Sequence, residues 1–370
     1  MKEPSLTLGI EEEYQVVDPE TGELTSYITE ILDSEHVVLR EQLKPELHQS
    51  VVEMASTVCE TVQDARAEVV KMRQFVSSKV AESGLRIVAA GTHPFSNWTE
   101  QRITPLERYI GLREDLQEVA ARNLIFGMHV HIGIEDPEFL IDTMNVSRYF
   151  LPHVLALSAS SPFWEGRHTG LHSYRTINWS NFPRTGLPLT FGSWGEYEYL
   201  IETLVRSKTI PDSSKIWWDL RPNHSYPTLE FRICDMCTRI DEVVCIAAIF
   251  QALVAKLWRL RRDNLTFRLY PTALIAENKW RAARYGVTGT LIDFGKQEAK
   301  PAPDLVREFI GWFLDDVLDD LGSRAEVEYA LRILEEGSSS QRQVAVFEET
   351  GDLKAVVDHL IAETAEGLAP

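Results

Sequence analysis

Four short segments each set two charged side chains two residues apart among alternating apolar residues: Glu11-x-Glu13, His129-x-His131, Asp219-x-Arg221 and Glu230-x-Arg232. Residues i and i+2 of a strand project from the same face, so each pair would share one surface of a sheet. Four such strands side by side would line a concave face with carboxylates, imidazoles and guanidiniums, the raw material of a metal–phosphate site. Glu11 and Glu13 offer oxygen ligands to a hard divalent cation. Two acids held that close repel unless a cation or proton intervenes. Gly127 and Gly133 flank the histidine pair and leave room for a ligand near the backbone. Glu46 and Glu53, seven apart, fall on opposite faces of an unbroken strand but on one face of a helix. A break or bulge near Gln49 and Ser50 would bring both to one site, and the pattern alone does not decide.

The elements that must position these residues are α+β for the first three-quarters of the chain and helical thereafter. Residues 6–17 alternate: Leu6, Leu8, Ile10, Tyr14 and Val16 face one way, Thr7, Glu11, Glu13 and Gln15 the other. Glu12 falls on the apolar side, which places it near an edge. Helical spacing runs over 57–83 (Val58, Val62, Ala65, Val69, Met72, Val76) and ends at Gly84. A short strand over 85–90, a helix from about 105, a strand over 125–134 and a helix over 137–158 follow. The stretch 160–193 is rich in Gly, Pro, Ser, Asn and aromatics without a period; a loop that long in a compact domain is usually functional. It carries His168, His172, Tyr174, Arg175, Asn178 and Arg184. Residues 215–221 and 228–235 read as two strands joined by a hairpin-length connection. Only helical patterns follow about 297.

Composition sets the bounds. The 370 residues allow one large or two ordinary domains, and 44% apolar with 25% charged residues is that of a soluble globular protein. A formal net charge of −19 argues against nucleic acid or an anionic membrane as the main partner. It does not exclude phosphorylated ligands, since metal ions and arginines can invert the field locally. The start Met-Lys-Glu-Pro-Ser has no apolar h-region, and the longest apolar stretch, 243–258, is short for a bilayer span and reads as a buried core helix; a cytoplasmic location is expected. Cys234-x-x-Cys237 lacks a second pair to complete a zinc site, so reduced, buried thiols are expected. There is no Walker A loop, no G-x-G-x-x-G opening a helix and no G-x-S-x-G elbow. Any ATP must then be held by metals and arginines.

Together the segments GIEEEY (9–14), GMHVHIG (127–133), RTINWSNFPRTG (175–186), WWDLRPNHSYPTLEFRICD (217–235) and ENKWRAARYG (277–286) resemble the carboxylate–amine ligases related to glutamate–cysteine ligase, in the glutamine-synthetase-like superfamily. The likeness runs from about 6 to 295 and is specific for the family rather than for a substrate. It implies a curved antiparallel sheet of about six strands with helices on its other face, a catalytic domain over 1–296, and a helical extension over 297–370 packed on it. It also implies two or three Mg²⁺ or Mn²⁺ ions, with ATP as co-substrate. By motif position, Glu13, Glu46 and Glu53 resemble the ligands of one ion, and Glu11, His129 and Glu230 those of a second that bridges the ATP phosphates. Arg232 resembles the arginine that contacts the transferring phosphate. His131 resembles the histidine close to nucleotide or substrate.

The expected reaction is ATP-dependent amide formation between a carboxylate, glutamate's γ-carboxyl by analogy, and an amine such as cysteine, through an acyl phosphate. Arg175 and Arg184 are the expected grips for carboxylate or phosphate. Arg221 belongs to the same substrate- and nucleotide-binding set, and Arg281 and Arg284, at helical spacing with Glu277, would face the nucleotide. A metal-dependent amide hydrolase and a non-catalytic amino-acid or nucleotide binder are the competing classes. The helical tail and acidic surface are compatible with a homodimer.

Overall fold

The computed structural model describes residues 2–27 and 42–368. Its main sheet has seven strands, all paired antiparallel: β1 (Leu8–Val17), β2 (Leu43–Pro45), β3 (Val51–Ala55), β4 (Arg86–Val88), β5 (Met128–Gly133), β6 (Leu220–Pro222) and β7 (Thr228–Phe231). The order across the sheet is β6-β7-β5-β1-β3-β2, with β4 on the C-terminal end of β1.

Register places the chemistry. Glu11 pairs with His129, Glu13 with Glu53, Glu53 with Lys44, His131 with Glu230 and Glu230 with Arg221. Directly opposed residues share a face, so six strands deliver their charged side chains to one surface. The intervening residues Leu8, Ile10, Tyr14, Met128, Val130, Ile132, Leu229 and Phe231 are buried on the other. There they meet helices α1 (Val62–Ala81) and α3 (Ile240–Arg262); Phe231 stacks on Phe250 at 4.0 Å between centroids. A capping box starts α1: the Thr61 side chain accepts from the Asp64 amide at 3.1 Å while Asp64 accepts from the Thr61 amide at 3.0 Å. The helix α3 is long and apolar enough to cross a membrane, but it runs through the core.

Several expectations need correction. Glu12 lies in a central strand, not near an edge, and is fully buried. It pairs with Arg73 of α1 at 2.6 Å and accepts from the Tyr14 hydroxyl at 2.6 Å. Arg73 also donates to the carbonyls of Thr238 (2.5 Å) and Cys237 (2.9 Å), so the pair ties sheet, helix and the Cys-x-x-Cys segment together. A charge on the core face is admissible because its partners are complete. The expected helix over 137–158 is two, Pro137–Ser147 and Leu151–Ser158, the second with Pro152 in its first turn. The irregular stretch 160–193 contains a helix, α2 (Tyr174–Trp179), capped by Ser173. Residues 215–221 are not one strand: Trp217–Trp218 pairs in parallel with Thr185–Gly186, and Asp219 interrupts before β6. The region after 297 opens with a strand, Glu298–Pro301, paired with Thr290–Asp293; helices begin at Ala302. Phe309, Phe313, Val327, Ile333 and Leu360 of these helices share one apolar cluster with the sheet and α3. All four cysteines are buried and free.

Removing one member of a buried pair strands the other charge. Arg73→Met should therefore lower unfolding stability by about 3–5 kcal/mol in urea titrations. A loss under about 1 kcal/mol, the range of an exposed ion pair, would contradict the clamp.

Candidate active site

The acid-bearing face floors a cavity of about 410 Å³. Glu11, Glu13, Lys44, Glu46, Glu53, His129, Arg175, Arg221 and Arg232 line it, beneath a wall of Tyr109, Leu112, Trp179, Phe182 and Trp217. Trp179 stacks on Phe182 at 5.0 Å, and Trp217 meets Phe182 edge-on at 5.7 Å.

Two clusters of ligand-type atoms stand on this face. In one, Glu13, Glu46 and Glu53 bring carboxylate oxygens within 4.8 Å of one another; in the other, carboxylate oxygens of Glu11 and Glu230 and a ring nitrogen of His131 lie within the same distance. Glu46 and Glu53 meet because the chain reverses completely between β2 and β3, rather than bulging within one strand. The Glu46 side chain accepts from the Leu47 amide at 3.0 Å, and the Thr104 hydroxyl holds its carbonyl. The second cluster contains His131 where the family likeness put His129. His129 instead turns Nδ1 toward Glu11 Oε2 at 3.1 Å and toward Arg232 at 3.4 Å.

The two clusters differ in charge. Burial works against ionising Glu230, but Arg232 and Arg221 hold its carboxyl well below the usual range. Burial likewise opposes ionisation of Glu11, and His129 and His131 overcome it. The other three acids are compensated only in part, Glu13 by Arg175 and Glu53 by Lys44. Burial, only partly offset by Arg175, raises Glu13 to about 7; burial and Glu13 raise Glu46; burial, Glu11 and Glu46 raise Glu53 well above normal. Three mutually repelling carboxylates at chelating distance fit a divalent cation. In the second cluster the buried Nε2 of His131 stands 3.8 Å from Glu11 Oε1 without a hydrogen bond, which also fits a ligand atom. There Glu230 already takes four N–H donors: Nε and a terminal nitrogen of Arg221 (2.9 and 3.1 Å), Asn223 (2.9 Å) and Arg232. Arg232 would have to turn away before Glu230 could offer a free lone pair.

The arginines divide. Arg175 is buried over Gly127, where a methyl group would overlap its guanidinium, and its Nε has no partner. The space that Gly127 leaves is thus filled by an arginine of the chain, and that at Gly133 by the hydroxyls of Ser5 and Thr7. Arg184 adopts φ +57, donates to the Lys215 carbonyl at 2.8 Å and lies 5.1 Å from the Trp217 ring; it is not part of the cavity lining. Arg281 is held by Glu277 (2.9 Å) and Thr290 (3.1 Å), and Arg284 by the Gly170 carbonyl; neither reaches the cavity. Asp219, expected beside Arg221, instead pairs with Lys279 at 2.6 Å.

Two participants escaped the sequence reading. Lys44 stands 3.0 Å from Glu11 and 3.2 Å from Glu53. Its signal was present: Lys44-x-Glu46 repeats the two-residue spacing of the other charged pairs. Asp235, fully buried, accepts from the Ser160 amide (2.9 Å) and the Ser161 (2.6 Å) and Ser173 (2.7 Å) hydroxyls, while Ser161 in turn accepts from the Arg175 amide at 3.0 Å. It anchors the segment that carries Arg175, and no local pattern marks it.

A sheet whose strands pool acids, histidines and arginines over one cavity is the fold of the glutamate–cysteine ligases. Over 99% of this chain and 90% of its own length, the glutamate–cysteine ligase of Francisella tularensis, solved with AMP, superposes with a TM-score of 0.73 at 12% identity. The bifunctional glutathione synthetase of Pasteurella multocida superposes with 0.68 at 15% identity, over 98% of this chain and 53% of its own. The chain belongs to glutamate–cysteine ligase family 2, whose sequence profile matches residues 7–359. Relatives named "Putative glutamate--cysteine ligase 2" are 58% identical in Herpetosiphon aurantiacus (98% of this chain, 94% of the relative) and 57% in Roseiflexus sp. RS-1 (98% and 95%).

A raised carboxyl pKa means that the fold favours the protonated form. The contribution of Glu13 is therefore complete below about 4.5 and lost as pH rises through about 7. In cation-free protein, Glu13→Gln should remove roughly 1–3 kcal/mol of the stability decline between pH 5 and pH 8. Urea unfolding at the two pH values checks this; equal declines in wild type and variant would refute it.

Proposed function

We propose that the protein is an ATP-dependent ligase that joins the γ-carboxyl of glutamate to an amine, cysteine being the one its relatives' name indicates, through an acyl phosphate. The observation that carries this reading is the convergence of Glu13, Glu46 and Glu53 with Glu11, His131 and Glu230 on one sheet face beside Arg232. Mg²⁺ or Mn²⁺ held by these two clusters would supply the positive charge that a triphosphate needs among five glutamates.

The chain's own residues do the rest. Arg232, next to both His129 and Glu230, can turn from Glu230 to a phosphoryl oxygen, giving up one charge-assisted bond for another. Arg221, bonded bidentately to Glu230 and to the carbonyls of Ser214 and Ile216, fixes that carboxylate in place. Arg175, with its unpartnered Nε, is the grip for the substrate carboxylate. Neutral at physiological pH because burial lowers its pKa to about 4, His129 orients Glu11 without adding charge. The aromatic wall excludes water, which would otherwise hydrolyse the acyl phosphate before an amine arrives. Phosphoryl transfer asks chiefly for positioning and electrostatics, and the face supplies both. The cytoplasm provides the nucleotide.

A phosphate-release assay with ATP, Mg²⁺, glutamate and an amine panel should show ADP formation that requires both substrates. Glu230→Ala and Arg232→Ala should each lower kcat by about 10²–10³-fold. Unchanged turnover in both variants would refute the site assignment. Amide hydrolysis without nucleotide would refute the ligase reading.

A further inference from the structure

Lys44 touches one carboxylate of each cluster, Glu11 at 3.0 Å and Glu53 at 3.2 Å. Its place on the acid-bearing face is a property of the backbone: in the β2–β3 pairing it lies directly opposite Glu53, which lies opposite Glu13. Of the other cations lining the cavity, Arg221 and Arg232 pair with Glu230, Arg175 lies over Gly127 beside the Glu13 carboxylate, and Arg108 and Lys215 lie against the rings of Tyr109 (5.5 Å) and Trp217 (5.8 Å) in the wall; none of them bridges the two clusters. Lys44 therefore stands at the junction of the clusters, its side chain 46% exposed. An ammonium has three donors on a flexible stem and can exchange a carboxylate oxygen for a phosphoryl oxygen while keeping its remaining partner.

Resting on the ligase reading above, we propose that Lys44 is a catalytic residue of the phosphoryl-transfer step, its ammonium contacting the γ-phosphoryl group in transit. In that step an oxygen of the substrate carboxylate attacks the γ-phosphorus. The bond from that phosphorus to the β,γ-bridging oxygen breaks, and its electron pair leaves with ADP. No proton moves, so the demand is for positive charge on the equatorial oxygens, which an ammonium between the clusters meets. The competing account is that Lys44 only neutralises Glu11 and Glu53 until divalent cations displace it.

Hydroxylamine separates the step from amine selectivity, because it traps the acyl phosphate as a hydroxamate. Wild type, Lys44→Met and Lys44→Arg are compared with ATP, Mg²⁺, glutamate and hydroxylamine, and each nucleotide-free protein is titrated with Mn²⁺ by electron paramagnetic resonance. Lys44→Met should lower kcat for hydroxamate by about 10²-fold, with the glutamate KM within about 3-fold and Mn²⁺ affinity equal or tighter. Lys44→Arg should recover part of the loss. The proposal is overturned if Lys44→Met keeps kcat within about 3-fold of wild type, or if its loss is accompanied by weaker Mn²⁺ binding. If wild type itself makes neither hydroxamate nor ADP, the ligase reading fails, and the role of Lys44 with it.

Discussion

Like charges gathered on one surface are the constraint from which the rest of this structure follows. Five glutamates on three strands and a hairpin arm cannot all be ionised on one partly covered face without opposite charge nearby. The chain supplies that charge unevenly. Around Glu230 it places two arginines, and around Glu11 it places His131 and the hydrogen bond of a neutral His129, which keep both acids ionised. Around Glu13, Glu46 and Glu53 it leaves a deficit, and all three are pushed toward their protonated forms. The face thus has one half whose charge is balanced by protein and one half left short of positive charge.

Everything beneath the face serves to hold that uneven arrangement. The back of the sheet is packed by α1 and α3, and Glu12, which intrudes there, is answered by Arg73 with a full set of acceptors around the guanidinium. Asp235 does similar service at the cavity's side, holding both ends of the segment from Ser160 to Ser173 so that Arg175 lies flat on Gly127. Rigid support of this kind suits a reaction in which misplacing a charge by an ångström costs rate.

How much of this could be read from the letters depended on periodicity. Where charged residues alternate with apolar ones, as in β1, β5 and β7, both the strand and its functional face were legible, because the pleat enforces the spacing. The same logic failed where an interaction is set by tertiary geometry. Glu46 and Glu53 meet through a hairpin that the sequence does not announce, Asp219 leaves the face because Lys279 claims it, and Arg281 and Arg284 are held by partners on their own side of the molecule. Glu12 looked like an edge residue only because its partner Arg73 lies sixty-one residues away on the buried side of a helix. The likeness to a known family supplied the grouping Glu13, Glu46 and Glu53 that pattern reasoning left open. Both histidines flank Glu11, and it is His131 whose ring nitrogen groups with Glu11 and Glu230.

The run of three glutamates in β1 has a consequence for how such chains are compared. Glu11 and Glu13 belong to different clusters and Glu12 to the interior, so three identical letters carry three distinct duties. Sliding an alignment by one position there still matches two glutamates with glutamates. In the molecule it would turn the inside of the strand outward, send two carboxylates into hydrocarbon and leave the cavity floor with one. Within the run itself the letters are the same, and the two-residue alternation of the pleat tells the three residues apart.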